Sequence, residues 1–109
     1  MNVTEEFERA RQTLPAAELR SDGGNFAIYL PGFSFESGGK SMTMDLLLYP
    51  HLHGGSYVTR LFFREALTRG PNWNSHFICG ETWWAPSWKD VHPNQSWASM
   101  LANHLRAVE

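Results

Sequence analysis

The chain has 109 residues, 42% hydrophobic, 14% aromatic and 18% charged, which is enough for one core of its own and far from disordered composition. Its formal charge of -2 arises from interspersed signs and leaves no basic stripe to neutralise phosphates, which sets nucleic acid aside as a partner. The lone cysteine excludes an internal disulfide framework, no apolar run approaches the about 18 residues of a membrane span, and "MNVTEEFERA" carries no basic-then-apolar leader, so a cytoplasmic location is expected.

In chain order, Thr4 followed by Glu5 and Glu6, with Phe7, Ala10 and Leu14 on one face, predicts a short helix capped by Thr4 and stopped before Pro15. A brief strand near Ala17–Arg20 leads into the Asp22-Gly23-Gly24 turn, and a β-rich run from Asn25 to Leu30 is closed by Pro31-Gly32. After the turn "ESGGKS", residues Met42 to Tyr49 are apolar on both faces, as a covered central strand requires. "HLHGGS" reads as loop, and Val58 to Arg64 alternates as a fourth strand. From Gly70 to Gln95 no period is sustained, with Pro71, Pro86 and Pro93 as breaks, and a long irregular stretch in a small domain is usually functional. Ser96 then caps a helix through Val108, with Trp97, Met100, Leu101, His104 and Leu105 at helical spacing. The expectation is a single α+β domain over residues 1–109: N-terminal helix, four-stranded antiparallel meander, long aromatic loop and C-terminal helix, with both helices on one face of the sheet.

The stretch "GPNWNSHFICGETWWAPSW", Gly70 to Trp88, concentrates the chemistry: the only thiol, four of the five tryptophans, and His76 three residues before Cys79. A thiol is the most nucleophilic of the common side chains at neutral pH, and with no disulfide partner Cys79 is open to that use. Free cysteine is also among the most buried residue types, so "HFIC" reads equally as a strand end with Phe77 and Cys79 facing inward. Two of the tryptophans are expected to anchor the stretch, and Trp83 or Trp88 to stay partly exposed as an interface hot spot.

In order along the chain, Tyr49-Pro50 at the end of the third strand, Pro71-Asn72 seven residues before the thiol, Ile78-Cys79, and Trp84-Ala85-Pro86 before the last helix resemble the ubiquitin-conjugating enzyme (UBC) superfamily, in particular its small divergent bacterial members. Gly70 stands where that family has a histidine, and the interval from Cys79 to the Trp-x-Pro is shorter. The resemblance implies a UBC-like fold and a transferase that accepts the C-terminus of a ubiquitin-like protein from an adenylating activating enzyme and passes it to a protein target. Cys79 would be the nucleophile, Asn72 would support the acyl-transfer geometry, and Ser87 is the replacement nucleophile if Cys79 is inert. Glu5 and Arg9 on the first helix would dock the activating enzyme, with Trp83 or Trp88 contributing. The reading calls for no cofactor, no metal and no membrane.

Two alternatives use the same residues. A catalytically inactive scaffold would keep the fold and bind the activating enzyme or the ubiquitin-like protein. A zinc-binding module would draw on His51, His53, His76 and Cys79, with His92 as a substitute, although neither pair has the Cys-x-x-Cys form that marks a strong zinc site.

Overall fold

A computed structural model describes residues 3–109 as an α+β fold: α1 (Val3–Thr13), β1 (Glu18–Asp22), β2 (Asn25–Ser37), β3 (Lys40–Tyr49), β4 (Arg60–Phe63), β5 (Asn74–Ile78), β6 (Glu81–Ala85) and α2 (Trp97–Leu105), with a closing 3-10 turn at Arg106–Val108. The sheet has six strands in the order β1-β2-β3-β4-β6-β5, every neighbouring pair antiparallel. Four strands were expected; the two further ones, β5 and β6, occupy what reads in sequence as a long irregular loop. Thr4 lies inside the first turn of α1 rather than capping it, because the helix already includes Val3.

β2 runs past Pro31-Gly32 instead of ending there. Leu30 pairs with Leu46 and Phe33 with Met44, so Pro31 and Gly32 together oppose Asp45 as a bulge. The Asp45 carboxylate accepts hydrogen bonds from the Gly32 amide and the Tyr29 hydroxyl, both at 2.8 Å, which gives the displaced backbone a partner and lets the strand absorb a proline.

The alternation of β2, β3 and β4 divides the core in two. Ile28, Leu30, Leu46, Leu48, Leu61 and Phe63 face both helices and pack with Ala10 of α1 and Trp97, Met100 and Leu101 of α2. Ser96 caps α2 as the sequence indicates, its hydroxyl accepting from the Ser99 amide at 3.2 Å. Val108 ties the C-terminal turn to the β2–β3 hairpin, since its carbonyl accepts from Ser37 Oγ at 2.8 Å and from the Gly38 amide at 3.2 Å.

Ala27, Leu47, Tyr49 and Phe62 form the opposite face and are covered by Ile78, Trp83 and Ala85 of the β5–β6 hairpin. Only the Phe63–Trp84 pair joins β4 to β6. The sheet curls there, and its two ends meet: the Cys79 amide, at the tip of the β5–β6 hairpin, donates to Asp22 Oδ1 of β1 at 2.9 Å. That closure brings the β5–β6 tip against β1.

Candidate functional site

Cys79 and Gly80 form a two-residue turn between Ile78 and Glu81. Both have positive φ, 52° and 77°, the combination of a type I′ hairpin turn whose twist suits antiparallel strands. The β1–β2 and β2–β3 hairpins turn in the same way with Gly-Gly pairs, Gly23-Gly24 and Gly38-Gly39. A cysteine with its Cβ in the left-handed region therefore stands where the other two turns use glycine, at a conformational cost of about 1–2 kcal/mol. The Asp22 carboxylate offsets part of that cost by holding the Cys79 amide.

The thiol lies at a crevice of about 60 Å³ lined by Arg20, Tyr29, Leu47, Cys79, Glu81 and Trp83. Cys79 is half-buried rather than enclosed in the core. Burial pushes its pKa up, and the Asp22 and Glu81 carboxylates push the same way against the opposing charge of Arg20. The thiol is thus protonated at neutral pH. Around it, Arg20 lies 4.3 Å from the Tyr29 ring centre and pairs with Glu18 at 2.9 Å. Arg64 binds Glu81 at 2.6 Å and lies 4.9 Å from the Trp83 ring centre. Burial and the hydrogen bond to Asp45 raise the pKa of Tyr29, which fixes its hydroxyl as a donor.

Trp83 is 2% exposed and its ring meets Tyr29 edge-on at 6.3 Å, so, contrary to the expectation of a partly exposed hot spot, it is a buried anchor. Its position follows from the hairpin register, which sets Trp83 opposite His76 on the inner face and Trp84 on the outer. Its indole N–H is buried and has no acceptor among the described residues. Trp88 remains partly exposed, as expected, donating its N–H to the Asn103 carbonyl at 3.3 Å at the edge of a surface cavity of about 400 Å³. Phe77, which the buried-strand reading of "HFIC" would turn inward, is 77% exposed, because the register turns it to the outer face with Thr82.

Asn72 and Ser87 are brought together, but not to Cys79. The Asn72 carbonyl accepts from Ser87 Oγ at 3.3 Å and from Asn74 Nδ2 at 3.0 Å, and the Ser87 amide donates to the Pro71 carbonyl at 2.8 Å. These bonds close the open end of the hairpin, while Cys79 forms its tip. The four residue steps of β5 between the two ends span about 13 Å. In this conformation Asn72 therefore does not reach an acyl group on Cys79, and Ser87 is not a neighbour of the thiol. Glu5 and Arg9 are both exposed on α1.

The histidines do not gather around the thiol. His51 Nε2 lies 3.0 Å from the Phe26 carbonyl oxygen, His53 Nδ1 lies 3.3 Å from Arg60 Nη1, and the His53 and His76 rings meet edge-on at 5.1 Å. Among the described residues no three His, Cys, Asp or Glu side chains are placed to share a metal ion. Burial first, and the Arg60 charge second, lower the pKa of both His53 and His76.

Three polar residues are buried behind this group; the helical spacing placed His104 among the packed positions, while the burial of Arg60 and Thr59 was not read from the sequence. Arg60 is 4% exposed, with its guanidinium 3.7 Å from the Tyr57 ring centre and Nη2 donating to the Pro86 carbonyl at 3.3 Å. Thr59 and His104 are as deeply buried and hydrogen-bonded to each other at 2.8 Å. Asp22, Arg20 and Glu81 were also missed. The available signal was Cys79-Gly80 as a two-residue gap between the short runs Asn74–Ile78 and Glu81–Ala85.

Comparison of the chain with protein-family models, curated proteins and solved structures finds no match in any of the three.

Proposed function

We propose that the chain is a ubiquitin-conjugating-enzyme-like acyl carrier whose nucleophile is Cys79. The observation that carries this reading is the chain's only thiol, strained into a left-handed turn and held through its amide by Asp22, at a crevice that Arg20 and Glu81 line from the opposite ends of the curled sheet. An N-terminal helix, an antiparallel sheet and a C-terminal helix agree with the architecture that the motifs suggest, while Cys79 stands within the sheet, between β5 and β6, and not in a loop after it.

In the loading step the Cys79 sulfur adds to the carbonyl carbon of the donor thioester and loses its proton, and the donor's sulfur departs as the carbonyl reforms and takes up that proton by way of solvent. No electrons change hands overall. The raised pKa of the thiol slows attack at neutral pH, and it also makes the sulfur a poorer leaving group, which slows loss of the acyl group to water and to an amine or hydroxyl alike. The exposed Glu5 and Arg9 of α1 are the docking contacts for the activating enzyme in this reading.

The scaffold reading is favoured by one observation, the separation of Asn72 from Cys79. A glycine-terminated peptide thioester distinguishes the two. The carrier forms a reductant-sensitive peptide adduct, Cys79→Ser forms a reductant-resistant oxyester or none, and Cys79→Ala forms none. An unmodified wild type under conditions that acylate a free cysteine peptide would leave the scaffold reading. An adduct that survives Cys79→Ala and disappears with Ser87→Ala would move the nucleophile to the other end of the hairpin.

A further inference from the structure

Residues 50–59 connect β3 to β4 and close on themselves at one bridge, where the His53 amide donates to the Tyr57 carbonyl at 2.8 Å and the Tyr57 amide donates to the His53 carbonyl at 3.2 Å. The tip of this segment, Gly54-Gly55, is exposed, with φ of 62° and 75°. Its two ends are fastened independently of the tip. His51 Nε2 lies 3.0 Å from the Phe26 carbonyl oxygen, and Thr59 is hydrogen-bonded to Val91 and His104. The bridge between them is gripped by Arg60 from both sides: the guanidinium lies 3.7 Å from the Tyr57 ring centre, and Nη1 lies 3.3 Å from His53 Nδ1.

Arginine offers donors only, so in the second contact His53 Nδ1 is the acceptor and the ring carries its hydrogen on Nε2. That bond exists for the neutral imidazole alone. A proton on Nδ1 would turn two donors and two positive charges towards each other at the same distance. No other group around the ring relieves that conflict. Tyr49, Phe62 and His76 present their rings to it at centre-to-centre distances of 5.8, 5.2 and 5.1 Å, and Lys89, beyond β6, adds a cation 5.8 Å from the Tyr57 ring centre. Asp22 is the carboxylate that acts on His53, and it acts less than Arg60 or His76. Arg60 itself has no ion-pair partner among the described residues.

We infer that His53 is the latch of an acid-opened flap: a proton on its imidazole breaks the bond to Arg60 and lifts the Gly54-Gly55 tip from the sheet, uncovering Tyr49, Phe62 and His76 beside the β5–β6 hairpin. Burial, then the charges of Arg60 and His76, hold His53 below its ordinary pKa of 6.5 in the closed form. The closed flap therefore binds the proton less readily than the open one, so the latch is complete above pH 6.5 and weakens as pH falls below it. His76, lowered by burial and by Arg60, is uncovered by the same movement and acts in the same direction. At pH 5.5 an exposed imidazole is about ten to one protonated, so His53 alone favours opening by up to about tenfold. None of this depends on Cys79 being acylated.

Amide hydrogen exchange followed by NMR at pH 7.5 and pH 5.5, corrected for the intrinsic rates, tests the latch. Protection of the His53 and Tyr57 amides should fall at least about threefold at the lower pH. The Met100 amide, bonded to Ser96 in α2, should stay within about twofold. His53→Asn offers Arg60 an oxygen and cannot titrate, so its fall at Tyr57 should be less than half that of the wild type. Should the variant's flap stand open at both pH values, the wild-type ring protons decide: His53 should titrate below 6.5 and the Tyr57 amide should follow the same midpoint, whereas a midpoint at or above 6.5 overturns the latch. A smaller change in wild-type protection also overturns it. An equal fall in wild type and His53→Asn overturns it in favour of His76, and an equal fall at Met100 overturns it in favour of global acid unfolding through His104.

Discussion

Acid should destabilise this protein through His104. The imidazole is 4% exposed on α2, and its Nε2 lies 2.8 Å from Thr59 Oγ1. The Thr59 hydroxyl spends its only proton on the Val91 carbonyl at 2.7 Å, so Nε2 must carry the hydrogen and donate, which leaves Nδ1 as the site that protonates. Burial, then the Arg60 charge, lowers the pKa to about 4 from an ordinary 6.5. The folded state therefore binds this proton less readily than the unfolded chain. The neutral histidine's contribution is complete above pH 6.5 and is lost as pH falls from 6.5 towards 4. A difference of 2.5 pH units at 1.36 kcal/mol each gives a loss on the order of 3 kcal/mol across that window. His104→Gln retains an N–H for Thr59 and cannot titrate. Urea unfolding followed by tryptophan fluorescence at half-unit steps from pH 7 to pH 4 should show the wild type losing about 3 kcal/mol more than the variant, the contributions of His53 and His76 cancelling in the difference. Parallel pH dependences in the two proteins would refute the reasoning.

The turn at Cys79-Gly80 predicts opposite effects for two substitutions. Cys79→Asn, which creates the favoured type I′ pair, should raise the thermal midpoint, and Gly80→Val, at φ 77°, should cost about 1–2 kcal/mol in urea unfolding. Trp83→Ala should cost about 3–5 kcal/mol, because it empties the space between the hairpin and the sheet. Iodoacetamide should alkylate Cys79 more slowly at pH 7.5 in the folded than in the urea-unfolded protein. Asp22→Asn should speed alkylation of the folded form, since the carboxylate that disfavours the thiolate is gone while an oxygen remains for the Cys79 amide. If the chain is the proposed carrier, charge reversal at both Glu5 and Arg9 should slow its loading by an activating enzyme and leave the thermal midpoint little changed, as exposed charges contribute little to stability.

What could be read in the sequence was decided locally. Ser96 and the spacing of Trp97, Met100, Leu101 and His104 define α2 within one segment, and the two-sided apolar run of β3 marks a covered central strand. Pro31-Gly32 reads as a strand end because its acceptor, Asp45, is 13 residues away on the neighbouring strand. The β5–β6 hairpin was missed because its turn is Cys-Gly rather than Asn-Gly, and because adjacent Trp83 and Trp84 break the alternation by serving opposite faces. The thiol was legible as the only one in the chain. Its surroundings were not, because Asp22 reaches Cys79 across 57 residues and only the curl of the sheet brings them together. Asn72 was nominated by motif order, which carries no information about the length of the hairpin between it and the thiol.

The most direct test of the account is to locate the acyl group. The chain is incubated with a glycine-terminated peptide thioester, the donor chemistry that the proposed carrier accepts, and the adduct is mapped by mass spectrometry before and after reductant. The account predicts one acyl group per chain, on Cys79 and released by reductant. An acyl group on Ser87, or a chain never acylated under conditions that acylate a free cysteine peptide, would contradict it.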